Sequence, residues 1–197
     1  MMIPAHALAG IACIHLGLLA AHNKDGEQRW NNAPAWTWLA IGIAFAYMSH
    51  AVVDALAIFT YHDSNPTGSA FEMVVFWGWL IFGFVVIYWG VREDKRYGLG
   101  VLAALAYDLW DHYILRAVDC VLDGFPKGCM GVYTHRFKEL QMHQFEWAIL
   151  DSVFAGVERH YGDEAFVLLE IVFVGFVVAG VRWLRINYPL PLNANPN

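Results

Sequence analysis

Long apolar stretches separated by short polar segments dominate the chain. Five of them reach roughly 20 residues, which is the length that an α-helix needs to cross the hydrocarbon core of a bilayer. These predicted spans cover residues 2–21, 35–60, 70–91, 98–117 and 164–186. A sixth apolar stretch, 140–157, is interrupted by polar residues and predicts an amphipathic or re-entrant helix packed against the others. The pattern therefore predicts an all-α, polytopic transmembrane helical bundle.

The same pattern predicts a single domain. Neither a second domain nor an internal repeat is visible, so residues 1–187 are expected to form one transmembrane unit. Residues 188–197 are rich in proline and asparagine and predict a flexible C-terminal tail. Residues 1–5 carry no basic residue of the kind that opens a signal peptide, so the first apolar stretch is expected to be retained as a helix.

Composition supports a membrane protein. Hydrophobic residues make up 58% of the chain and charged residues 15%, and the mean hydropathy is +0.42, which is too apolar for an ordinary soluble domain. Tryptophans stand near the ends of apolar stretches, as at membrane interfaces, at Trp36, Trp38, Trp89 and Trp183. The net charge of −6 and the absence of a basic stretch exclude a nucleic-acid partner.

The distribution of lysine and arginine predicts an orientation. Basic residues follow the first and third spans and end the fifth, at Lys24, Arg29, Arg92, Lys95, Arg96, Arg182 and Arg185. Because positive charge is enriched on the cytoplasmic side, the N-terminus is expected outside and the C-terminus in the cytoplasm, in an inner or plasma membrane. The region 118–163, on the predicted outer side, holds four further basic residues, which reduces the difference in positive charge between the two sides.

Ionisable residues inside the predicted spans carry the candidate chemistry. His50 and Asp54 are four residues apart and so share one helix face. Asp108 and His112 have the same spacing, with the two residue types in reverse order. The predicted orientation brings both pairs, together with His6, to a similar depth near the outer leaflet. Imidazole and carboxylate groups suit a divalent metal ion, with zinc preferred and iron or manganese as alternatives.

Further residues extend this predicted site. His143 and Glu146 stand three residues apart, a metal-ligand spacing in helical bundles, which makes His143 an additional candidate ligand. Asp111 and Glu146 are the candidate catalytic bases. His15 lies nine residues after His6, about 180° around the helix, and is expected to bond a neighbouring helix instead. The competing interpretation is that each of these residues only forms a hydrogen bond to a neighbouring helix.

Two cysteines outside the spans predict a covalent link. Cys120 and Cys129 flank a turn containing glycine and proline, which could bring them together as a disulfide in an oxidising compartment.

Three short motifs resemble those of a known family. The segments AHALAG, SHAVVDAL and DLWDH resemble motifs of the membrane-bound metal-dependent hydrolases of the YdjM-like group. In this chain the Ser-His-x-x-x-Asp motif precedes the Asp/His motif. A further motif of the family, His-Arg-Gly-x-x-His-Ser, is matched only at His135 and Arg136. The resemblance implies a helical, metal-dependent hydrolase.

Several functions remain compatible with these residues. The first is a hydrolase that acts on an ester or phosphoester of a lipid-like or small-molecule substrate, with membrane lipids as partners. The alternatives are a carrier for metal ions or protons, a haem- or quinone-binding subunit of a membrane complex, and a scaffold without chemistry. Assembly as a homo-oligomer is compatible with each of them.

Overall fold

A computed structural model describes residues 3–21, 35–55, 70–124, 140–142, 148, 152 and 167–190. The regular elements within these ranges are all helical, which confirms the all-α prediction. They are α1 (Ile3–Ala21), α2 (Ala35–Ala55), α3 (Ala70–Glu93), α4 (Tyr97–Ala104), α5 (Ala106–Asp108), the π-helix π1 (Leu109–Leu115), α6 (Arg116–Leu122) and α7 (Val167–Asn187).

The chain forms two compact units. The first comprises Met1–Ala104 and Arg159–Asn197 and contains α1 to α4 and α7, and the second comprises Leu105–Glu158 and contains α5, π1 and α6. The single domain expected over residues 1–187 stays a prediction, and residues 191–197 of the expected tail lie outside the described residues.

Four helices in the described ranges are long and apolar enough to cross a membrane. They cover Ile3–Ala21, Trp36–Ala55, Met73–Glu93 and Val167–Asn187. The remaining predicted span, 98–117, is divided, because α4 ends at Ala104 and a π-helix begins at Leu109. This stretch carries Asp108, Asp111 and Arg116 in its second half.

Helix α1 lies at the centre of the first unit. It contacts α2, α3, α4 and α7, and 56% of its apolar window is buried, against 17–22% in the other three candidate spans. Glycine residues of α1 permit the neighbouring helices to approach closely. A Cβ atom added at Gly17 would lie 2.6 Å from the carbonyl oxygen of Trp38 on α2, and one added at Gly10 would collide with the backbone of Gly100 on α4. Small residues at such crossings are typical of membrane helices.

Contacts between α1 and α3 fix their register. A Cβ atom at Gly83 would lie 2.6 Å from Ile3, and one at Gly90 would lie 2.6 Å from Ile11. The two helices therefore run in the same direction, and α1 begins about 13 residues, or roughly 20 Å, along α3 from Ala70.

Large apolar side chains cover the outer faces of α2, α3 and α7. Phe45 and Val52 on α2, Val74 and Phe84 on α3 and Phe176 on α7 are all more than half exposed. Surfaces of this kind are unfavourable in water and favourable against lipid. Together with the four apolar helices, they support a membrane protein.

Candidate metal centre

Two helices of the first unit bring His6, His50 and Asp54 together. His6 Nε2 lies 3.2 Å from Asp54 Oδ1, and His50 Nε2 lies 3.4 Å from Asp54 Oδ2. The two imidazole rings are stacked, with centroids 4.2 Å apart and planes 14° apart. All three residues are at most 5% exposed. One carboxylate therefore faces two imidazole nitrogens in a site shielded from water.

The i,i+4 spacing on α2 places His50 and Asp54 on one face, as the sequence predicts. His6 reaches the same point because α2 runs antiparallel to α1. The register follows from Gly42, which lies against Cys13 and Ile14, so that the end of α2 meets the start of α1.

A backbone carbonyl fixes the tautomer of His50. His50 Nδ1 lies 2.7 Å from the carbonyl oxygen of Ala104. A carbonyl oxygen can only accept, so Nδ1 carries the proton and donates it. In the neutral ring Nε2 then holds a lone pair directed at Asp54. Metal-binding histidines are commonly oriented by such a bond from the opposite ring nitrogen to a backbone carbonyl.

The distances suit a small divalent cation. Ligand atoms held about 2.0–2.1 Å from one tetrahedral ion lie roughly 3.4 Å apart, close to the two separations between imidazole nitrogen and carboxylate oxygen in the cluster. One ligand atom from each of His6, His50 and Asp54 can be chosen so that all three lie within 4.8 Å of one another. Two histidines and one carboxylate form a donor set that binds zinc or non-haem iron and leaves coordination positions open.

The register places this cluster along α3. His6 lies three residues beyond Ile3, which contacts Gly83, so the cluster lies near the level of Val86. That level is roughly 24 Å from Ala70 and roughly 10 Å from Glu93. The sequence interpretation placed these residues in the outer third of the membrane. The structure places them beside the half of α3 that ends at the charged residues, and their depth in the membrane stays a prediction.

His15 has the separate role expected from its position on α1. Its Nε2 donates to the carbonyl oxygen of Tyr188 over 2.9 Å, and its Nδ1 accepts from the Tyr97 hydroxyl over 2.7 Å. Because both ring nitrogens are hydrogen-bonded, His15 joins α1 to α4 and to the residue that follows α7. This confirms the interpretation of His15 as a link between helices.

Asp108 and His112 form a pair in the second unit. His112 Nε2 lies 3.7 Å from Asp108 Oδ1, and Arg116 Nη2 donates to His112 Nδ1 over 3.3 Å. With Nδ1 accepting, the proton of a neutral ring resides on Nε2 and faces the carboxylate. Metal binding by His112 through Nε2 would require that proton to leave. The predicted sharing of one metal site by these residues and the cluster stays a prediction.

Asp111 is held by a backbone donor within the second unit. Its Oδ1 accepts a hydrogen bond from the Met142 backbone N–H over 2.9 Å, and the residue is 5% exposed. The neighbouring Trp110 Nε1 donates to the Leu140 carbonyl oxygen over 2.9 Å. These bonds attach residues 140–142 to π1 and orient Asp111. Its role as a catalytic base stays a prediction.

Other candidates fall outside the described residues. These are His143, proposed as a ligand, Glu146, proposed as a base, and Cys129, the expected partner of Cys120. Cys120 itself is disulfide-bonded, as expected, while Cys13 is a free thiol.

Sequence reasoning did not identify the group that orients the cluster. The carbonyl of Ala104 is available to His50 because α4 ends there, and the last carbonyls of a helix lack partners within it. A backbone atom of alanine leaves no signal in the sequence. The hydroxyl of Tyr97, which completes the bonding of His15, was missed for a different reason, since its partner lies 82 residues away.

Comparison of the chain with protein-family models, with curated proteins and with solved structures found no match.

Proposed function

We propose that the chain is an integral-membrane, metal-dependent hydrolase whose metal is held by His6, His50 and Asp54. The observation that supports this most is the orientation of His50, whose Nδ1 donates to Ala104 and whose Nε2 faces the carboxylate. Two neutral imidazoles and one carboxylate together carry one negative charge. Their complex with a divalent ion would therefore keep one positive charge, which further ligands would neutralise.

The donor set supports a catalytic site over a purely structural one. Structural zinc sites are closed by four protein ligands, whereas catalytic sites use three and keep a position for water or substrate. A metal held in this way lowers the pKa of bound water and polarises the bond to be cleaved. Zinc is the preferred ion, with iron or manganese as alternatives. The ligand roles predicted for Asp108 and His112 stay predictions, and Asp111 is proposed as the base.

The proposed substrate is an ester or phosphoester of a lipid-like molecule. The support is the setting of the cluster among apolar helices, with outer faces that suit hydrocarbon. The motif resemblance to the YdjM-like hydrolases points to the same class of reaction. We further propose five membrane passes, the divided stretch 98–117 supplying the fifth, with the C-terminus in the cytoplasm.

Metal analysis of detergent-purified protein is the primary test. We expect about one zinc, iron or manganese ion per chain, measured by plasma mass spectrometry after a desalting step. His50→Ala should lose the ion, because it removes one of the three donors. His15→Ala is the matched control, since it changes a buried histidine on the opposite face of α1 and should keep the ion.

Folding must be separated from binding in this comparison. Circular dichroism and gel filtration of each variant show whether the helices are retained, and Asp54→Asn offers a second, nearly isosteric change. Protein without bound metal, or equal metal content in the His15 and His50 variants, would contradict the site. The cluster would then be a hydrogen-bonded contact between α1 and α2.

Turnover is tested separately from binding. The purified protein is incubated with chromogenic carboxylic and phosphoric esters and with phospholipids in mixed micelles. We expect hydrolysis that a chelator abolishes, that added metal restores and that His50→Ala lacks. Stoichiometric metal without hydrolysis of any of these substrates would leave the metal site in place and reject the enzymatic part of the proposal.

A further inference from the structure

A groove between α3 and α7 has α1 as its floor. It encloses about 580 Å3, within the range of roughly 300–1,000 Å3 that small-molecule sites occupy. The walls are apolar over most of its length, with Leu8 from α1 beneath them. The apolar lining residues are Leu8, Phe82, Val85, Val86, Trp89, Val178 and Ile186.

The groove changes from apolar to charged along its length. Its charged residues lie together at one end, where Arg182 and Arg185 of α7 meet Glu93 at the end of α3. Glu93 forms an ion pair with Arg185, so Arg182 leaves this end with a net positive charge. A groove with a hydrocarbon wall and a cationic end matches an amphiphile with an anionic headgroup.

Two contacts hold Arg185 in place. Its guanidinium carbon lies 4.6 Å from the centroid of the Trp89 ring and 5.5 Å from that of Tyr97, a cation–π arrangement. Arg182 is exposed and forms no ion pair or hydrogen bond with another described residue. One arginine is therefore positioned in advance, and the other is available to a ligand.

The length of the groove fits one leaflet. Phe82 and Glu93 are 11 residues apart on α3, which corresponds to roughly 16 Å along a helix. Half of a typical hydrocarbon core is about 15 Å thick. A second, polar cavity of about 290 Å3 shares Glu93 and Arg185 with the groove and provides room for a headgroup.

The surrounding charge favours an anion at this end. The basic residues near it are Arg92, Lys95, Arg96, Arg182 and Arg185, and the acidic ones are Glu93 and Asp94, which gives a net charge of +3. Basic clusters beside membrane helices attract anionic lipids of the cytoplasmic leaflet.

The groove is distinct from the candidate metal centre. Leu8 follows His6 by two residues, so the two side chains point about 200° apart around α1. His6 faces α2 and Asp54, whereas Leu8 faces α3 and α7.

We propose that this groove binds one anionic phospholipid of the surrounding leaflet, with its phosphate at Arg182 and Arg185 and an acyl chain along the apolar wall. Binding requires no metal, so the proposal can fail or succeed independently of the hydrolase proposal.

Native mass spectrometry of the detergent-solubilised protein tests the proposal. The protein is titrated with phosphatidylglycerol and, in parallel, with phosphatidylcholine of the same acyl chains. We expect one phosphatidylglycerol per chain, retained at least tenfold more tightly than phosphatidylcholine. Arg182→Gln should reduce this preference at least threefold, because it removes a cation without altering the apolar wall.

Three controls make the result specific. Arg92→Gln removes an exposed cation of α3 that does not line the groove, so it should reduce the preference clearly less than Arg182→Gln does. Val178→Trp should fill the groove and weaken the binding of both lipids. Inorganic phosphate at millimolar concentration should not compete, since it lacks an acyl chain. Equal affinity for the two lipids, equal effects of the two arginine variants, or full competition by phosphate would each overturn the proposal.

Discussion

His15 and His50 are buried histidines in apolar helices, and their partners give them different roles. His15 has a hydrogen-bond partner on each ring nitrogen, so it has no lone pair to offer an ion. His50 donates from Nδ1 to a carbonyl and directs Nε2 at a carboxylate. Burial alone therefore does not identify a metal ligand, because the distinction depends on what the second nitrogen contacts.

Asp54→Asn is expected to weaken metal binding at least tenfold while the helices are retained. The change keeps the size of the side chain but removes the charge that would neutralise the cation. Loss of even an outer partner of a metal ligand costs about 10–100-fold in affinity. Competition with a chromogenic chelator measures the affinity. Asp94→Asn is the control, because it removes a carboxylate outside the cluster, and an equal loss in both variants would contradict a ligand role for Asp54.

Asp94 and Arg96 predict a dependence of stability on pH. Burial alone would raise the pKa of Asp94, but hydrogen bonds from the Arg96 side chain and backbone outweigh it and hold the pKa below its ordinary value. A carboxyl whose pKa is lowered by folding stabilises the protein above its unfolded pKa of about 3.9, and this contribution is lost as the pH falls through the folded value.

The unfolding temperature in detergent should therefore differ between the native chain and Asp94→Asn at pH 7, with the native chain more stable. The difference should shrink as the pH is lowered from 5 to 3. Thermal scans at a series of pH values measure it. A difference that does not depend on pH would mean that the ion pair contributes no net stability.

At the scale of the helices, glycine determines which elements meet. Gly10 and Gly100 bring α1 and α4 into backbone contact, and Ala104 at the end of α4 then reaches His50. The face of α1 that contains Gly10, Cys13 and Gly17 carries small side chains, which let other helices approach closely. Gly10 meets α4, and Gly17 meets α2.

Gly10→Ala is expected to destabilise the first unit by about 1–3 kcal/mol, the usual cost of overpacking. The added methyl would collide with the backbone of Gly100, which cannot move aside as a flexible side chain would. Denaturant or thermal unfolding measures the loss. Gly78→Ala is the matched control, since nothing lies within 4 Å of a Cβ atom there and the change should be neutral or stabilising. Equal effects of the two variants would contradict the observed crossing of α1 and α4.

The sequence predicted the helices better than their interruptions. Apolar length was sufficient for four candidate spans, because hydrocarbon requires the backbone to bond within each helix. The division of residues 98–117 was not predicted, since no proline or glycine lies between Val101 and Leu115. The π-helix there widens the turn that carries Asp111 and His112, and such turns occur frequently at functional sites.

For the candidate site, spacing predicted that the residues share a helix face but not their level along α3. The four-residue separation of His50 and Asp54 is visible in the sequence and places both on one face. Their level relative to α3 depends on the contacts of Ile3 with Gly83 and of Ile11 with Gly90. Those contacts join residues about 80 positions apart, which periodicity cannot reveal.

At the scale of the whole molecule, four apolar helices and their exposed apolar side chains support a membrane protein. The arginines and lysines that follow α3 and those near the end of α7 lie at the same end of the first unit, as the ion pair of Arg185 with Glu93 requires. If positive charge is retained in the cytoplasm, both segments face the same side, and the orientation itself stays a prediction.

The expected orientation can be tested with paired reporters. A fluorescent protein fused after residue 94 should fluoresce, because it would remain in the cytoplasm, and alkaline phosphatase fused there should be inactive. Fusions after residue 65, which lies outside the described residues, should give the reverse result, since the segment between the second and third predicted spans carries no lysine or arginine. If the results are exchanged, the charged end of α3 faces outside, and the proposed lipid groove would then have to select its lipid from the outer leaflet.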